Sequence, residues 1–248
     1  MSVTSTVVPE LPSQATPSDI TSRAADLNRE LVSAAPADII AAALRAVGRD
    51  KLALVSSFGS ESAALLKFAA DVDRAIPVIF LDTGWLFEET LAYRDTLTKM
   101  LGLSDIRTIH PLEETLARED KDRDLWFSNP DQCCFIRKVE PLARALAPFD
   151  AWLNGRKRFL GGGRAALAVV EVDGERLKFN PLANISQDEL KALYATMKLP
   201  PHPLVASGFT SIGCMPCTSR TKPGEDPRAG RWRGKGKTEC GIHVAKSS

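Results

Sequence analysis

The chain has 248 residues, with 32 Lys and Arg against 31 Asp and Glu, 44% hydrophobic residues and five cysteines. This composition is typical of a soluble globular protein and excludes disordered, fibrous and small disulfide-stapled classes. The formal net charge of +1 excludes a generic polyanion binder, and no apolar run reaches the length that a transmembrane helix needs.

The first half of the chain predicts strands that alternate with helices. Residues 1–20 lack Lys and Arg and have no apolar core, so they predict a disordered leader rather than a targeting signal, and we expect a cytoplasmic protein. The predicted helices are residues 21–45 (one or two helices), 60–71 and 87–101, and the predicted strands are residues 51–58, 75–82 and, more weakly, 105–110. Strands that are apolar on both faces and separated by helices predict an α/β fold with a mostly parallel sheet and helices on both faces.

The second half predicts fewer regular elements. The predicted helices are residues 113–118 and 134–147, followed by a strand at 151–154 and a hairpin of 168–172 with 176–179. Ser186 and Glu189 form a capping-box pattern that predicts a helix to about Met197. We therefore expect one α/β domain over residues 21–218 and a mobile basic tail over residues 219–248.

Two loops follow predicted strands at the edge where parallel sheets bind nucleotides. The first is Ser57, Phe58, Gly59, Ser60, Glu61 and Ser62, and the second is Leu81, Asp82, Thr83 and Gly84. A short loop with Gly and hydroxyl residues before a helix presents backbone N–H groups to phosphate or sulfate, although a simple tight turn with a capping serine is the alternative.

Four cysteines form two close pairs, Cys133 with Cys134 and Cys214 with Cys217. Four thiolates bind zinc or a [4Fe–4S] cluster, although the spacing matches neither the ferredoxin series nor paired zinc knuckles, and buried structural cysteines are the alternative. Lys138 lies one helical turn beyond Cys134, which places a cation beside such a centre.

The fifth cysteine, Cys240, lies in the polar tail between Lys237 and His243, where nearby cations favour a nucleophilic thiolate; an incidental surface cysteine is the alternative. Residues 219–248 hold eight Lys and Arg against three acids, a net charge of +5, which leaves −4 for the rest. A second basic loop contains Arg156, Lys157, Arg158 and Arg164.

Seven ordered segments, SFGSES, LDTG, CCFIRKVEPL, NGRKRF, GCMPC, PGEDPRAGRW and KTECGIH, resemble the iron–sulfur branch of the adenylyl-sulfate (APS) and PAPS reductase family. The resemblance runs from about Lys51 to His243. It implies an adenine nucleotide alpha-hydrolase-like fold, a [4Fe–4S] cluster on Cys133, Cys134, Cys214 and Cys217, and Cys240 as the nucleophile. It also implies thioredoxin as the reductant and a homo-oligomer. From the near-neutral net charge and the absence of a long apolar run we expect no nucleic-acid or membrane partner.

The function that the resemblance implies is the thioredoxin-dependent reduction of APS to sulfite and AMP in sulfate assimilation toward cysteine, through an S-sulfo-cysteine on Cys240. The substrate-binding residues predicted outside the two loops are Lys138, Gly155, Arg156, Arg164, Arg228, Arg231 and His243. Ser62 stands where the family usually has Asp. The alternatives are a PAPS reductase of the same mechanism, a PP-loop sulfurtransferase or tRNA-thiolation enzyme, and an RNA-binding protein with a zinc ion or cluster.

Overall fold

The computed structural model describes residues 17–243. The predicted leader thus lies outside the described residues as far as residue 16, and the first helix begins at Pro17. The helices are α1 (Pro17–Leu31), α2 (Pro36–Val47), α3 (Ser62–Val72), α4 (Glu88–Leu101), α5 (Glu113–Glu119), α6 (Leu125–Ser128), α7 (Pro130–Cys134), α8 (Glu140–Leu146) and α9 (Gln187–Thr196). The strands are β1 (Leu52–Val55), β2 (Val78–Leu81), β3 (Ile106–Ile109), β4 (Ala151–Leu153), β5 (Val170–Asp173) and β6 (Arg176–Phe179).

The strands of residues 17–243 form one six-stranded sheet in the order β3-β2-β1-β4-β6-β5. Every neighbouring pair is parallel except the hairpin of β5 and β6 at one edge. The chain builds outward from β1 to β3 and then returns to the other side of β1 with β4. Ligands of open α/β sheets bind at such a reversal of strand order, beyond the carboxyl ends of the strands.

Both faces of the sheet are covered by helices, as the continuous apolar strands predict. Leu52 and Leu54 of β1 belong to a large core on one face that includes α2, α3 and α4. Ala53, which points the opposite way because side chains alternate along a strand, packs in a smaller core with Leu142 and Leu146 of α8. The predicted fold class is therefore confirmed.

The helix predicted over residues 134–147 begins earlier than expected and is irregular. Asn129 caps α7, because its side chain accepts a hydrogen bond from the Gln132 amide, and Pro130 occupies the first turn. A π-helical turn, Phe135–Val139, then joins α7 to α8. At the start of α9 the predicted capping box of Ser186 and Glu189 is present.

The basic tail lies against the domain as far as His243. Thr218 and Arg231 form an isolated antiparallel bridge, and the Ser219 amide donates to the Gly230 carbonyl at 2.8 Å. Trp232 is almost fully buried. The described part of the tail therefore has a defined docked position. Among residues 17–243 there is no helix of the length and apolar character needed to cross a membrane.

Candidate active site

A cavity of about 230 Å³ lies beyond the carboxyl ends of the central strands. Its lining includes Val55 at the end of β1, Leu81 at the end of β2 and Asn154 just after β4. The remaining walls come from the loop after β1, the basic loop after β4 and the docked tail. The cavity thus occupies the position that the sheet topology favours for a nucleotide ligand.

The loop after β1 is held by its own hydrogen bonds and by a buried ring. Phe58 has a φ of +47°, and its fully buried ring packs edge-on against Phe80 with the centroids 5.4 Å apart. The Ser62 hydroxyl donates to the Gly59 carbonyl at 2.8 Å, and the Ser60 hydroxyl donates to the Thr210 carbonyl at 2.9 Å. Phe58 therefore anchors the turn in the core and does not line the cavity.

The amide groups of this loop remain available to a ligand. The N–H groups of Gly59, Ser60 and Glu61 have no hydrogen-bond partner within residues 17–243. A Cβ added at Gly59 would lie 3.2 Å from the Ile212 carbonyl oxygen, so glycine permits the close approach of the opposite wall. Free amides ahead of the eleven-residue helix α3 are suited to binding an anion.

Only some residues of the loop after β2 line the cavity. Leu81 and Thr83 line it, whereas Asp82 and Gly84 do not. Asp82 instead accepts a hydrogen bond from the Gly84 amide at 3.0 Å, which closes the turn. The Thr83 hydroxyl lies 3.2 Å from the Cys214 Sγ. This loop therefore connects the cavity to the cysteines behind it.

The basic loop after β4 forms one wall of the cavity, with Gly155, Arg156, Lys157 and Arg164 in the lining. The Lys157 ammonium donates to a Glu61 carboxylate oxygen at 2.8 Å, and burial lowers the pKa of this lysine despite that partner. Lys157 was not among the predicted substrate-binding residues, although its place between Arg156 and Arg158 is visible in the sequence. Arg158 points away from the cavity and donates to the Leu167 carbonyl.

The docked tail closes the cavity with Arg228, Arg231, Cys240 and His243. A Cβ added at Gly213 would lie 2.3 Å from a terminal nitrogen of Arg231, so only glycine allows this guanidinium its position. The His243 ring stacks on Trp152 with the planes 6° apart. Burial, reinforced by surrounding cations, holds the pKa of His243 well below its usual range, so the ring is neutral at neutral pH.

The remaining four cysteines surround a second, much smaller cavity of about 10 Å³ behind the first. Cys133, Cys134, Cys214 and Cys217 all line it, and none of them forms a disulfide. The structure thus separates the five cysteines as their spacing suggests, with four around one buried point and Cys240 at the other cavity.

Lys138 lines both cavities and couples them electrostatically. Burial would raise the pKa of Cys214, but Lys138 and the Thr83 hydroxyl lower it. In return, the Cys214 and Cys240 thiolates outweigh burial and raise the pKa of Lys138. By contrast, burial and the neighbouring Cys134 thiolate raise the pKa of Cys133 to about 12. Lys138 therefore places a positive charge beside Cys214, between the two cavities.

Three buried donors around the small cavity lack a partner. They are the indole N–H groups of Trp85 and Trp232 and the Nε of Arg137, all on residues that line it. An unpartnered buried donor is costly, so such a group usually indicates an acceptor that the protein atoms do not supply. No three His, Cys, Asp or Glu side chains in residues 17–243 are arranged as ligands of a single metal ion.

Most predicted site residues converge on the two cavities. The large cavity collects Ser57, Gly59, Ser60, Glu61, Ser62, Leu81, Thr83, Lys138, Gly155, Arg156, Arg164, Arg228, Arg231, Cys240 and His243. Phe58, Asp82 and Gly84 lie outside its lining. The lining residues that sequence reasoning missed include Ser56, Asn154, Ile212, Gly213, Trp232 and Glu239. Most of these residues are next to a predicted residue in the sequence, and that adjacency is the signal that could have indicated them.

Known proteins resemble this chain in sequence and in fold. Residues 51–220 match the model of the phosphoadenosine phosphosulfate reductase domain. An adenosine 5'-phosphosulfate reductase of Mesorhizobium japonicum is 50% identical over 226 residues, which cover 91% of this chain and 89% of the relative. A phosphoadenosine 5'-phosphosulfate reductase of Gloeobacter violaceus is 44% identical over 224 residues, covering 88% of this chain and 92% of the relative.

A solved structure matches at the level of the fold. The phosphoadenylyl-sulfate reductase of Candida auris, determined as a phosphate complex, superposes with a TM-score of 0.67 and 26% sequence identity. The match covers 81% of this chain and 96% of that chain.

Proposed function

Because this chain belongs to the family of APS and PAPS reductases, which are oxidoreductases acting on a sulfur group, we propose that it reduces APS to sulfite and AMP with a thioredoxin-type dithiol. Cys240 is the proposed nucleophile, and an S-sulfo-cysteine on its Sγ is the proposed intermediate. The comparisons confirm the APS and PAPS reductase family that the seven sequence segments resemble. The substrate, the reductant, the intermediate and the iron–sulfur cluster are the parts that we propose.

One observation carries the proposal: Cys240 lines the same cavity as the free loop amides and a ring of cations. Lys138, Arg164, Arg228 and Arg231 face this space. A thiolate approaching an anionic phosphosulfate needs such positive charge, because charge that develops in the transition state must be stabilised at fixed positions.

The chemistry balances in two half-reactions. The Cys240 thiolate attacks the sulfur of APS, the bond between that sulfur and the bridging oxygen breaks, and AMP leaves with the electron pair. One thiolate of the dithiol then attacks the Cys240 Sγ and releases sulfite, leaving a mixed disulfide. The second thiol displaces Cys240 and completes a disulfide, so sulfur gains the two electrons that the dithiol loses.

The donor set around the small cavity suits a [4Fe–4S] cluster on Cys133, Cys134, Cys214 and Cys217. Four thiols converge on it, and the three unpartnered donors would find acceptors in sulfide or thiolate sulfur. A single zinc ion would gather its sulfurs at about 2.3 Å from one point, whereas a cluster binds each cysteine through a separate iron. When bound, the cluster would supply negative charge opposite Lys138 and so help to fix that cation between the two cavities.

Replacing a single cysteine of the quartet tests this assignment. We expect Cys217→Ser, purified anaerobically, to lose most of its iron and acid-labile sulfide together with its visible absorbance. The matched control Cys240→Ser should keep both, since Cys240 lies at the other cavity. Stoichiometric zinc without sulfide in the wild type would contradict the cluster.

The reaction itself is tested by anaerobic turnover of APS and PAPS with a thioredoxin system and no ATP. We expect sulfite and AMP from APS. Faster turnover of PAPS would favour the alternative that the Gloeobacter violaceus relative's name suggests. A strict requirement for ATP would instead favour a PP-loop sulfurtransferase, and salt-dependent RNA binding without sulfite release would favour the RNA-binding alternative.

We further propose a reducing cytoplasmic location and no nucleic-acid or membrane partner. The five cysteines of residues 17–243 are free, which suits a reducing compartment. Carboxylates of the chain already pair with several tail cations, including Arg228, Arg233 and Lys237. A homo-oligomer is proposed from the family resemblance alone.

A further inference from the structure

The residue before the proposed nucleophile occupies the anion-binding wall of the cavity. The Glu239 carboxylate accepts two hydrogen bonds from Arg164, at 2.8 Å from Nε and 3.0 Å from Nη2. A terminal nitrogen of Arg228 lies 3.3 Å from the same carboxylate. The side chains of Arg164 and Arg228 are only 12% and 18% exposed, so this triad is partly shielded from solvent.

Glu239 neutralises two of the cations that line the cavity, Arg164 and Arg228, and leaves two others without a carboxylate partner in the described part of the chain. Lys138 and Arg231 line the same space and form no salt bridge with any carboxylate of residues 17–243. Although burial opposes ionisation, Arg164 and Arg228 hold the pKa of Glu239 below its ordinary value, so the carboxylate is ionised at neutral pH. The arginine pair is therefore satisfied by the chain itself.

A guanidinium that binds a carboxylate through two parallel hydrogen bonds binds a phosphate or sulfate group in the same way. The geometry of Glu239 on Arg164 is therefore that of a bound anion. An intramolecular anion and a ligand anion cannot both make the full set of contacts. Each must weaken the other's binding, because occupancy by one reduces the fraction of sites open to the second.

We propose that Glu239 is a positioning residue that holds the Arg164 and Arg228 pair in the substrate-free chain, and that the anionic phosphosulfate group of the substrate displaces its carboxylate on binding. This inference rests on the proposed function for the identity of that group. Because Glu239 and Cys240 are adjacent, the contact holds the nucleophile over the cavity before substrate arrives, and its release couples substrate binding to a change in the position of Cys240.

The test uses ADP, which carries two linked anionic groups like APS but no transferable sulfuryl group. Calorimetric titration of the full chain with ADP should give a roughly three- to tenfold lower Kd for Glu239→Gln than for the wild type. Glu239→Asp keeps the charge and should return the Kd toward the wild-type value. Glu225→Gln is the matched control, because Glu225 pairs with Arg233 in the same tail but does not line the cavity, and its Kd should not change.

Steady-state kinetics distinguishes the proposed positioning role of Glu239 from a merely structural one. Glu239→Gln should lower the KM for APS by a larger factor than it changes kcat, because the contact that it removes is already broken once substrate is bound. Equal or weaker ADP binding by Glu239→Gln would overturn the inference, as would a Glu239→Asp variant that behaves like Glu239→Gln. ADP binding needs no reductase activity, so a chain that follows the expected Kd pattern but releases no sulfite would refute the proposed function and leave the displacement of Glu239 standing.

Discussion

Replacing Cys240 with serine should reduce sulfite release from APS by at least about a thousandfold, because the reaction loses the sulfur that accepts the sulfuryl group. Serine has nearly the same size and shape as cysteine, so ADP binding in the cavity should persist. The measurement is anaerobic sulfite release under saturating APS and dithiol. Mixing wild-type protein with APS and no dithiol should add the mass of one SO₃ group to the tail peptide containing Cys240.

For a clean comparison the variant must also keep the proposed cluster, and the positions of the cysteines predict that it does. Cys240 lines the large cavity, whereas the other four cysteines line the small one. A Cys240→Ser protein with wild-type iron and sulfide but no activity supports nucleophilic attack by Cys240. Sulfite release that survives the substitution, or SO₃ found on another cysteine, would contradict it.

The elements of the fold were predictable where burial alone determines the pattern. β1, β2 and β4 are short and apolar on both faces, and each was located within a few residues. The helix around the tandem cysteines was predicted with the wrong start and without its π turn, Phe135–Val139. An extra backbone residue in a helical turn leaves no periodic signal in one sequence, so such a feature emerges only from tertiary packing.

The candidate site was predictable as a set of residue types but not as a set of contacts. Loop position identified Ser57 and Thr83, and charge identified Arg164 and Arg228. Sequence gave no means to see that Glu239 pairs with both arginines, since Arg164 is 75 residues away from it in the chain. Likewise, Phe58 belongs to a promising loop, yet its positive φ turns the ring into the core. These two features could not be predicted because one depends on pairing between distant residues and the other on local backbone geometry.

The docked tail explains in structural terms why charge is distributed unevenly along the chain. The tail is strongly basic and the remainder is acidic, and ion pairs join the two, as between Lys237 and Asp131. Arg231, by contrast, forms no ion pair within residues 17–243 and lines the cavity. The tail's positive charge therefore divides between cations that hold it in place and cations that face the cavity.

The second large effect is on stability, and it concerns the buried ion pair behind the loop after β2. Arg137 and Asp120 are each 3% exposed and lie 2.5 Å apart, and Arg137 also donates to the Thr83 carbonyl at 2.8 Å. Arg137→Met leaves the Asp120 charge buried without its cation. We expect the free energy of unfolding to fall by about 3–5 kcal/mol, measured by anaerobic denaturant titration.

Two controls separate the buried charge from a general loss of packing. Arg118→Met removes a surface arginine that pairs with exposed Glu119, and it should change the unfolding free energy by less than about 0.5 kcal/mol. The double variant Arg137→Met with Asp120→Asn should recover part of the lost stability, because the uncompensated charge is gone. A double variant no more stable than Arg137→Met would contradict this explanation, because the asparagine can still accept the hydrogen bond that the Leu125 amide donates to Asp120 and only the charge has been removed. Arg137 donates to the carbonyl of Thr83, whose hydroxyl contacts Cys214. The same substitution should therefore also loosen the cysteine cavity and speed the loss of iron from the proposed cluster in air.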